Sequence, residues 1–343
     1  MLIASLLLAA VVDLSSDLRA AAQKAGLPAM QASVADANGI IAHGAWGATN
    51  TDAFHIGSCT KPITATVIAT LVDQHKLAWD TKVLDIFPEW KGDIRQEFEP
   101  ITLADLLSHE AGIEAFGEEE EIAKVPKVTG SLIERRRAFA HFALQQAPVV
   151  PPRTAFSYSN AGYVVAAAMA ERVSGRTWES LVVNRIFKTL KLRSAGFGWP
   201  RRVWAHEAGS DGKLTPVDPD GPYRLKDYIA PCGDVHMTSD DLAEFLRAHL
   251  RAMRGVATII PPSTAAVMHT KRIKSGLGFG VASVAGFENV ATHSGSADTF
   301  MTVIAIAADH NVAVVVQTNA AGDAAQHAVG AMLRELLTRF ASQ

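Results

Sequence analysis

The residue pattern from Gly57 to Leu77 constrains the fold most, because it predicts one buried helix that opens with reactive side chains. Apolar residues recur there at helical spacing, and no glycine interrupts them after the first position. Pro62 fits only a first helical turn, where its missing N–H has no intrahelical partner, so the helix should begin near Ser58. Ser58 and Lys61 then share one face, about 4.5 Å apart along the axis. An amine that accepts the serine proton makes the hydroxyl a nucleophile, and free N–H groups at a helix start can hold an oxyanion.

A second Ser-x-x-Lys pattern, at Ser210 and Lys213, lies in a polar stretch that contains glycine. No apolar periodicity follows it, so we interpret it as a turn. The same stretch, Ala208-x-Ser210-x-Gly212, resembles the nucleophile elbow of an α/β-hydrolase, but it lacks the required strand-turn-helix context. The context therefore favours Ser58.

The composition and charge indicate a globular protein. Of 343 residues, 48% are hydrophobic and 20% are charged, which suits a substantial core. The net charge of −3 leaves no basic surface of the kind that nucleic-acid binding requires. Two charge runs, Glu118–Glu121 and Arg135–Arg137, are interpreted as solvated faces that pair with each other, with substrate steering as the alternative.

Two cysteines, Cys59 and Cys232, cannot form a disulfide framework and lack the spacing of metal ligands. We therefore expect no metal and no cofactor. Cys59 is interpreted as a small packed residue on the helix, since free cysteines are usually buried. A nucleophilic Cys59 is the alternative, but the sequence identifies no partner histidine for it.

The apolar run at residues 1–12 has the length of a signal-peptide core. It lacks a basic start, since the first cation is Arg19, so an ordinary leading helix is the alternative. We expect a periplasmic or secreted protein, with a cytoplasmic location as the alternative. The run is too short to span a bilayer, and no later segment is apolar enough. The expected partner is a small-molecule or peptide substrate, and the oligomeric state stays open.

Strand patterns occur near both ends of the chain. Residues 29–36 and 40–47 are joined through Asn38-Gly39, which is a strong hairpin signal. Helical patterns and loops occupy most of residues 57–225. Further strands and a terminal helix follow, at residues 277–284, 290–293, 301–307, 312–318 and 324–340.

This order of elements predicts an α+β fold. The simplest arrangement is one mixed antiparallel sheet from both chain ends, flanked by helices. We expect a single catalytic domain over residues 13–343. Its α/β lobe would comprise 13–56 and 226–343, with a helical lobe inserted at 57–225. The site would lie in the groove between the lobes, where the Ser58 helix begins.

Tyr158-Ser-Asn160 stands between a loop and a predicted helix. A tyrosine beside a lysine ammonium can act as a base or proton shuttle, and an asparagine amide can fix a substrate carbonyl. The alternative interpretation is aromatic packing plus a cap for the helix.

His293-Ser-Gly295 ends a short predicted strand before the final hairpin. Such a strand edge can offer backbone N–H groups, a hydroxyl and an imidazole to a substrate. The alternative is an ordinary polar cluster at the end of a strand. Lys274-Ser-Gly276, nineteen residues earlier, is a competing copy of the pattern, and we prefer His293 because the final hairpin follows it.

Ser-x-x-Lys, Tyr-x-Asn and His-Ser-Gly, in this order, resemble the serine β-lactamase and penicillin-binding-protein family. The Tyr-x-Asn version resembles its class C β-lactamase, D-alanyl-D-alanine carboxypeptidase and β-lactamase-like esterase branch. The resemblance extends over residues 28–340 and implies a β-lactamase/transpeptidase-like fold. The segments that resemble the family are residues 54–65, 76–80, 101–109, 158–163 and 314–319.

The resemblance implies a role for each matching residue. Ser58 would be the acylated nucleophile, with Lys61 as its proton acceptor or electrostatic partner, and Tyr158 would shuttle the proton to the leaving group. Whether Lys61 or Tyr158 is the base stays open. Asn160 would bind the acyl side of the substrate. The backbone N–H groups of Ser58 and Ser296 would form the oxyanion hole.

His293, Ser294 and Gly295 would bind substrate at the position where the family has Lys or His, then Ser or Thr, then Gly. A histidine is charged only near or below neutrality, so we expect weaker carboxylate binding above about pH 7. Residues 296–299 also lack the glycine usual after this motif. The resemblance therefore implies a serine hydrolase of the peptidase or esterase type. The alternatives are a β-lactamase or a penicillin-binding sensor with little turnover.

Overall fold

The computed structural model describes residues 10–221 and 225–341. Residues 1–9 of the predicted signal segment therefore lie outside the described residues. Within the part that is described, no helix has the length and apolar character needed to cross a membrane. The strands are β1 Val12–Asp13, β2 Met30–Ala35, β3 Ile40–Trp46, β4 Phe54–His55, β5 Gly196–Phe197, β6 Ala205–Ala208, β7 Leu214–Val217, β8 Val235–Met237, β9 Gly280–Val284, β10 Phe287–Ser296, β11 Met301–Ala307 and β12 Val312–Thr318.

The helices are α1 Ser15–Ala25, α2 Thr60–Asp73, α3 Val83–Ile86, α4 Leu103–Leu107, α5 Glu119–Ala123, α6 Leu132–Gln145, α7 Asn160–Ser174, α8 Trp178–Val182, α9 Lys188–Leu190, α10 Ser239–Met253, α11 Pro262–His269 and α12 Asp323–Phe340. The nucleophile helix and the terminal helix lie where the periodicity predicted them, whereas α3, α5, α6 and α11 were not predicted as separate helices.

Strands from both chain ends form one seven-stranded sheet in the order β1-β3-β2-β12-β11-β10-β9. The strands β3 to β9 pair antiparallel along this order, and β1 pairs parallel with β3. The hairpin through Asn38-Gly39 joins β2 and β3, as predicted. The mixed α+β fold with flanking helices is therefore confirmed.

Each face of the sheet packs against helices. On one face, α12 covers alternate valines of β12, such as Val314 and Val316, and α1 packs beside it over β3 and β2. On the other face, Ile304 and Val315 belong to a larger core that includes Ile68 of α2 and the helices inserted in the chain. Burial on both faces fixes the register of the sheet, because a slip of one residue would exchange the two faces. The division into lobes at residues 57 and 225 stays a prediction.

Two further small sheets, one of three strands and one of two, were not predicted. β5 pairs with β8, which also pairs with β4, while β6 and β7 form a separate hairpin. Ser210 and Lys213 are exposed in and beside the turn of this hairpin. The turn interpretation is therefore confirmed. The elbow alternative is wrong, because a second strand and not a helix follows the serine.

The prediction that the two charge runs are solvated holds for Glu118–Glu120 and Arg137, which are exposed, but it is wrong for Arg136. Among the described residues, no ion pair joins the two runs. Arg136 is fully buried and pairs with Glu171 and Glu179. Arg135 pairs with Asp227 instead. In the acidic run, the Glu121 carboxylate accepts the N–H of Glu118 and so caps its own helix. The ion pairs with Glu171 and Glu179, which are distant in sequence, thus hold Arg136 in the interior.

Candidate active site

A single 3-10 turn, Gly57–Cys59, precedes α2 and carries Ser58. The end of β10 lies against this turn, backbone to backbone. A side-chain carbon added at Gly57 would lie 2.6 Å from the carbonyl oxygen of Ser296, and one added at Gly295 would lie 2.0 Å from that of Ile56. Only glycine allows so close an approach. The two glycines therefore fix the nucleophile turn against the strand.

Lys61 is fully buried one turn after Ser58. Its Nζ atom lies 3.1 Å from Ser58 Oγ, 2.7 Å from Asn160 Oδ1 and 2.8 Å from the carbonyl oxygen of Cys232. All three partner atoms can accept a hydrogen bond, and an ammonium has three protons to donate. The arrangement therefore suits a charged lysine whose donors are all engaged.

Tyr158 reaches the same hydroxyl from the loop before α7. Its Oη atom lies 2.8 Å from Ser58 Oγ, and Lys61 Nζ lies 4.7 Å from the centre of its ring. Between Tyr158 and Asn160, Ser159 caps α7, since its Oγ accepts the N–H of Gly162 at 3.1 Å. The cap interpretation thus holds for Ser159, while the residues on either side of it contact the Ser58–Lys61 pair.

His109 was not assigned a role from the sequence, although it ends the 101–109 segment. Its ring stacks on Tyr158 with 4.5 Å between centres, and its Nδ1 accepts the N–H of Ser159 at 3.1 Å. Burial, with smaller contributions from Lys61 and His293, holds the pKa of His109 well below its usual value. A neutral imidazole therefore supports the tyrosine ring.

His293 lies on β10, two residues before Gly295, which contacts the nucleophile turn. It is half-buried, and its Nδ1 donates to the carbonyl oxygen of Ser294 at 2.7 Å. Burial, and then the positive charge of Lys61, lower the pKa of His293 to about 4. The expectation that its charge would change near pH 7 is therefore wrong, because the imidazole is neutral through that range. Ser294 is exposed, and Gly295 makes the close approach described above.

The competing Lys274-Ser-Gly276 pattern lies in a loop before β9. The Ser275 hydroxyl donates to the carbonyl oxygen of Ser108, and the Lys274 ammonium lies 4.9 Å from the centre of the Phe156 ring. This loop does not carry the strand that meets the nucleophile turn. The preference for His293 is therefore consistent with the structure.

Cys59 is fully buried, and its Sγ lies 3.8 Å from the carbonyl oxygens of His293 and Thr302. Burial raises the pKa of the Cys59 thiol strongly, so it stays protonated. The interpretation as a packed residue is confirmed.

A cleft of about 640 Å³ opens beside the nucleophile. Of the site residues that the sequence predicted, Ser58, Asn160 and Ser296 line this cleft. Glu118 and Glu119 also line it, and they belong to the acidic run for which substrate steering was the alternative interpretation. The sequence did not identify the remaining walls, because they come from separate segments without a shared motif. These walls include Phe116, Ile122, Trp199, Ile229 and Asp298. Across residues 10–221 and 225–341, no group of three or more His, Cys, Asp or Glu side chains is placed to hold a metal ion.

The sequence model described as Beta-lactamase matches residues 14–339. The chain belongs to the beta-lactamase family. The family matched is the one that the sequence motifs resemble.

Individual relatives are more distant. Penicillin-binding protein 4 of Amycolatopsis lactamdurans is 29% identical over 223 residues, which cover 62% of this chain and 55% of that protein. The chain spans about half the length of the curated relatives it matches.

Solved structures share the fold over nearly the whole chain. An octameric penicillin-binding protein homologue from Pyrococcus abyssi superposes with a TM-score of 0.76 at 22% identity, over 94% of this chain and 76% of that one. A D-stereospecific amidohydrolase from Streptomyces superposes with a TM-score of 0.70 at 24% identity, over 90% of this chain and 96% of that one. At such identities the likeness establishes the fold alone.

Proposed function

We propose that this chain is a serine hydrolase that cleaves an ester or amide through an acyl-enzyme on Ser58. The observation that carries the proposal is the position of Ser58 Oγ, 3.1 Å from Lys61 Nζ and 2.8 Å from Tyr158 Oη, on the wall of a cleft. A hydroxyl between two proton-exchanging groups and open to a ligand is the arrangement that nucleophilic catalysis requires.

Tyr158 is the general base in this proposal. The three acceptors around Lys61 engage all three protons of an ammonium, which has no lone pair left to take another. In the acylation step Tyr158 reacts as a phenolate, 2.8 Å from Ser58 Oγ and beside the Lys61 ammonium. The proton of Ser58 passes to the phenolate oxygen as Ser58 Oγ bonds to the substrate carbonyl carbon. Tyr158 then returns the proton to the leaving alcohol or amine as the scissile bond breaks. Water then attacks the carbonyl carbon of the acyl-enzyme and gives its proton to Tyr158. Tyr158 returns this proton to Ser58 Oγ as the bond between Ser58 and the acyl group breaks.

The oxyanion that forms on the substrate carbonyl is held by the N–H groups of Ser58 and Ser296. A carbon added at Gly295 would lie 2.8 Å from Ser58 N, and one added at Gly57 would lie 2.8 Å from Ser296 N. The backbone of the nucleophile turn thus contacts the backbone of β10, and Ser58 and Ser296 both line the cleft at this contact. Loss of one such donor typically slows catalysis by about 10²–10³-fold.

The substrate that fits best is an ester or a D-amino-acid amide or peptide without a required carboxylate. His293 is neutral at pH 7, because its pKa is lowered to about 4, and the Lys61 ammonium is already engaged. Neither supplies a free charge for a carboxylate. Lys226 also lines the cleft, but Glu118, Glu119 and Asp298 line it too, so the lining disfavours a substrate carboxylate and efficient β-lactam hydrolysis. The amidohydrolase that shares the fold is D-stereospecific by its description, which is compatible with this substrate class.

The test compares Ser58→Ala with Ser210→Ala on a short-chain p-nitrophenyl ester, a D-amino-acid peptide and a chromogenic cephalosporin. Ser58→Ala should lose hydrolysis of every substrate that the wild type cleaves, while Ser210→Ala retains it. Activity that survives Ser58→Ala, or turnover of the cephalosporin far above that of the ester and the peptide, would reject the proposal.

A further inference from the structure

A second cleft lies at the far end of the nucleophile helix. Its volume is about 610 Å³, and Thr70 and Gln74 line it where α2 ends. Ser58 precedes the start of the same helix, about 20 Å away at 1.5 Å per residue. The two clefts share no lining residue. We call this second cleft the α2-end groove.

The α2-end groove is positively charged. Arg176 and Arg185 line it, and none of the described residues that line it is an aspartate or glutamate. No ion pair among the described residues involves either arginine, whereas Arg153 and Arg247 each pair with a carboxylate. Burial, and then the positive charge of Arg176, lower the pKa of Arg185. Two repelling guanidinium groups without a carboxylate leave an unbalanced charge in the groove.

The groove also holds its donors in place. Arg185 donates to Thr70 Oγ1 and to Gln74 Oε1, each at 2.9 Å, which uses only part of its five N–H groups. Ser180 Oγ accepts an N–H of Asn184 at 3.2 Å, so its own proton can be donated to a ligand. A π-helical turn, Val183–Phe187, places Arg185 here, and such turns occur frequently at functional sites.

We propose that the α2-end groove binds a tetrahedral oxyanion of the phosphate class, either free phosphate or a phosphomonoester. A guanidinium presents paired N–H donors that match phosphate oxygens, and these charge-assisted hydrogen bonds are stronger than neutral ones. One arginine held by Thr70 and Gln74 and a second, exposed one at Arg176 can contact the anion from two sides. The site is independent of the proposed hydrolase chemistry.

The test titrates the purified protein with inorganic phosphate by calorimetry, at pH 7.5 and constant ionic strength maintained with sodium chloride. The wild type should bind one phosphate per chain, and Arg176→Gln should weaken binding about tenfold or more. Arg193→Gln removes an exposed arginine outside the groove and should leave the affinity unchanged. Ser58→Ala should also bind normally, since the two clefts are separate.

Absence of saturable binding in the wild type, or equal affinity in Arg176→Gln, would overturn the proposal. Loss of binding in Ser58→Ala would overturn it too, because the phosphate would then occupy the catalytic cleft. Phenyl phosphate is added in competition with inorganic phosphate. Competition assigns the groove to phosphomonoesters, and its absence assigns the groove to free phosphate.

Discussion

Replacing Gly295 by alanine should separate the substrate-binding strand from the nucleophile turn. The added methyl would lie 2.0 Å from the carbonyl oxygen of Ile56 and 2.8 Å from Ser58 N. A carbon and a carbonyl oxygen need about 3.3 Å, so the two backbones must separate by about 1.3 Å. Gly295 is not in the left-handed region, so the effect is steric only. A misplacement of about 1 Å can lower catalysis ~10²-fold, and such overpacking destabilises by about 1–3 kcal/mol.

The assay measures kcat/KM for a short-chain p-nitrophenyl ester and the free energy of unfolding in urea. Gly295→Ala should lose about 100-fold in kcat/KM while remaining folded by circular dichroism. Gly39→Ala is the matched control, because an added methyl there meets no atom within 4 Å and the backbone is not left-handed. Activity of Gly295→Ala within threefold of the wild type would refute the proposed contact between β10 and the nucleophile turn.

Three further perturbations test other parts of the structure. Tyr158→Phe should lower kcat about 10²–10⁴-fold in stopped-flow or steady-state assays, and a loss below tenfold would remove it as the general base. The lowered pKa values of His269 (about 3) and His293 (about 4) should make stability fall as pH drops from about 6.5, because the unfolded chain takes up the protons first. At pH 5, each histidine should lower the free energy of unfolding by up to about 2 kcal/mol relative to pH 7. Urea midpoints that stay equal at pH 7 and pH 5 would contradict this. Arg136→Met should lower the free energy of unfolding in urea by about 3–5 kcal/mol, because it leaves the buried carboxylate of Glu171 without its arginine. Arg137 is exposed, so the control Arg137→Met should change stability by less than ~0.5 kcal/mol.

The elements that the sequence predicted correctly are those that local rules determine. The Asn38-Gly39 hairpin and the nucleophile and terminal helices each depend on residues a few positions apart. β5 to β7 were missed because strands of two to four residues in polar segments have no periodic pattern. The burial of Arg136 was missed because its partners, Glu171 and Glu179, lie on other helices.

The site divides in the same way. Ser58 and Lys61 were found from helical spacing, since both lie at the start of one helix. Tyr158 was a candidate from its own residue pattern, but only the family resemblance placed it beside Ser58, because that contact spans 100 residues of sequence. His109 had no local signal, and its contact with the tyrosine ring is visible only in three dimensions. The charge of His293 was wrongly predicted because burial and Lys61 set its pKa.

The central claim is that the hydroxyl of residue 58 is the nucleophile. Its most direct test is peptide mapping by mass spectrometry after treatment with a fluorophosphonate. We expect one adduct per chain, localised to Ser58 and not to Cys59 by fragmentation of their shared peptide, and slower labelling in Tyr158→Phe. An adduct on Ser210 or on Cys59, or no adduct on the folded wild type, would contradict the claim.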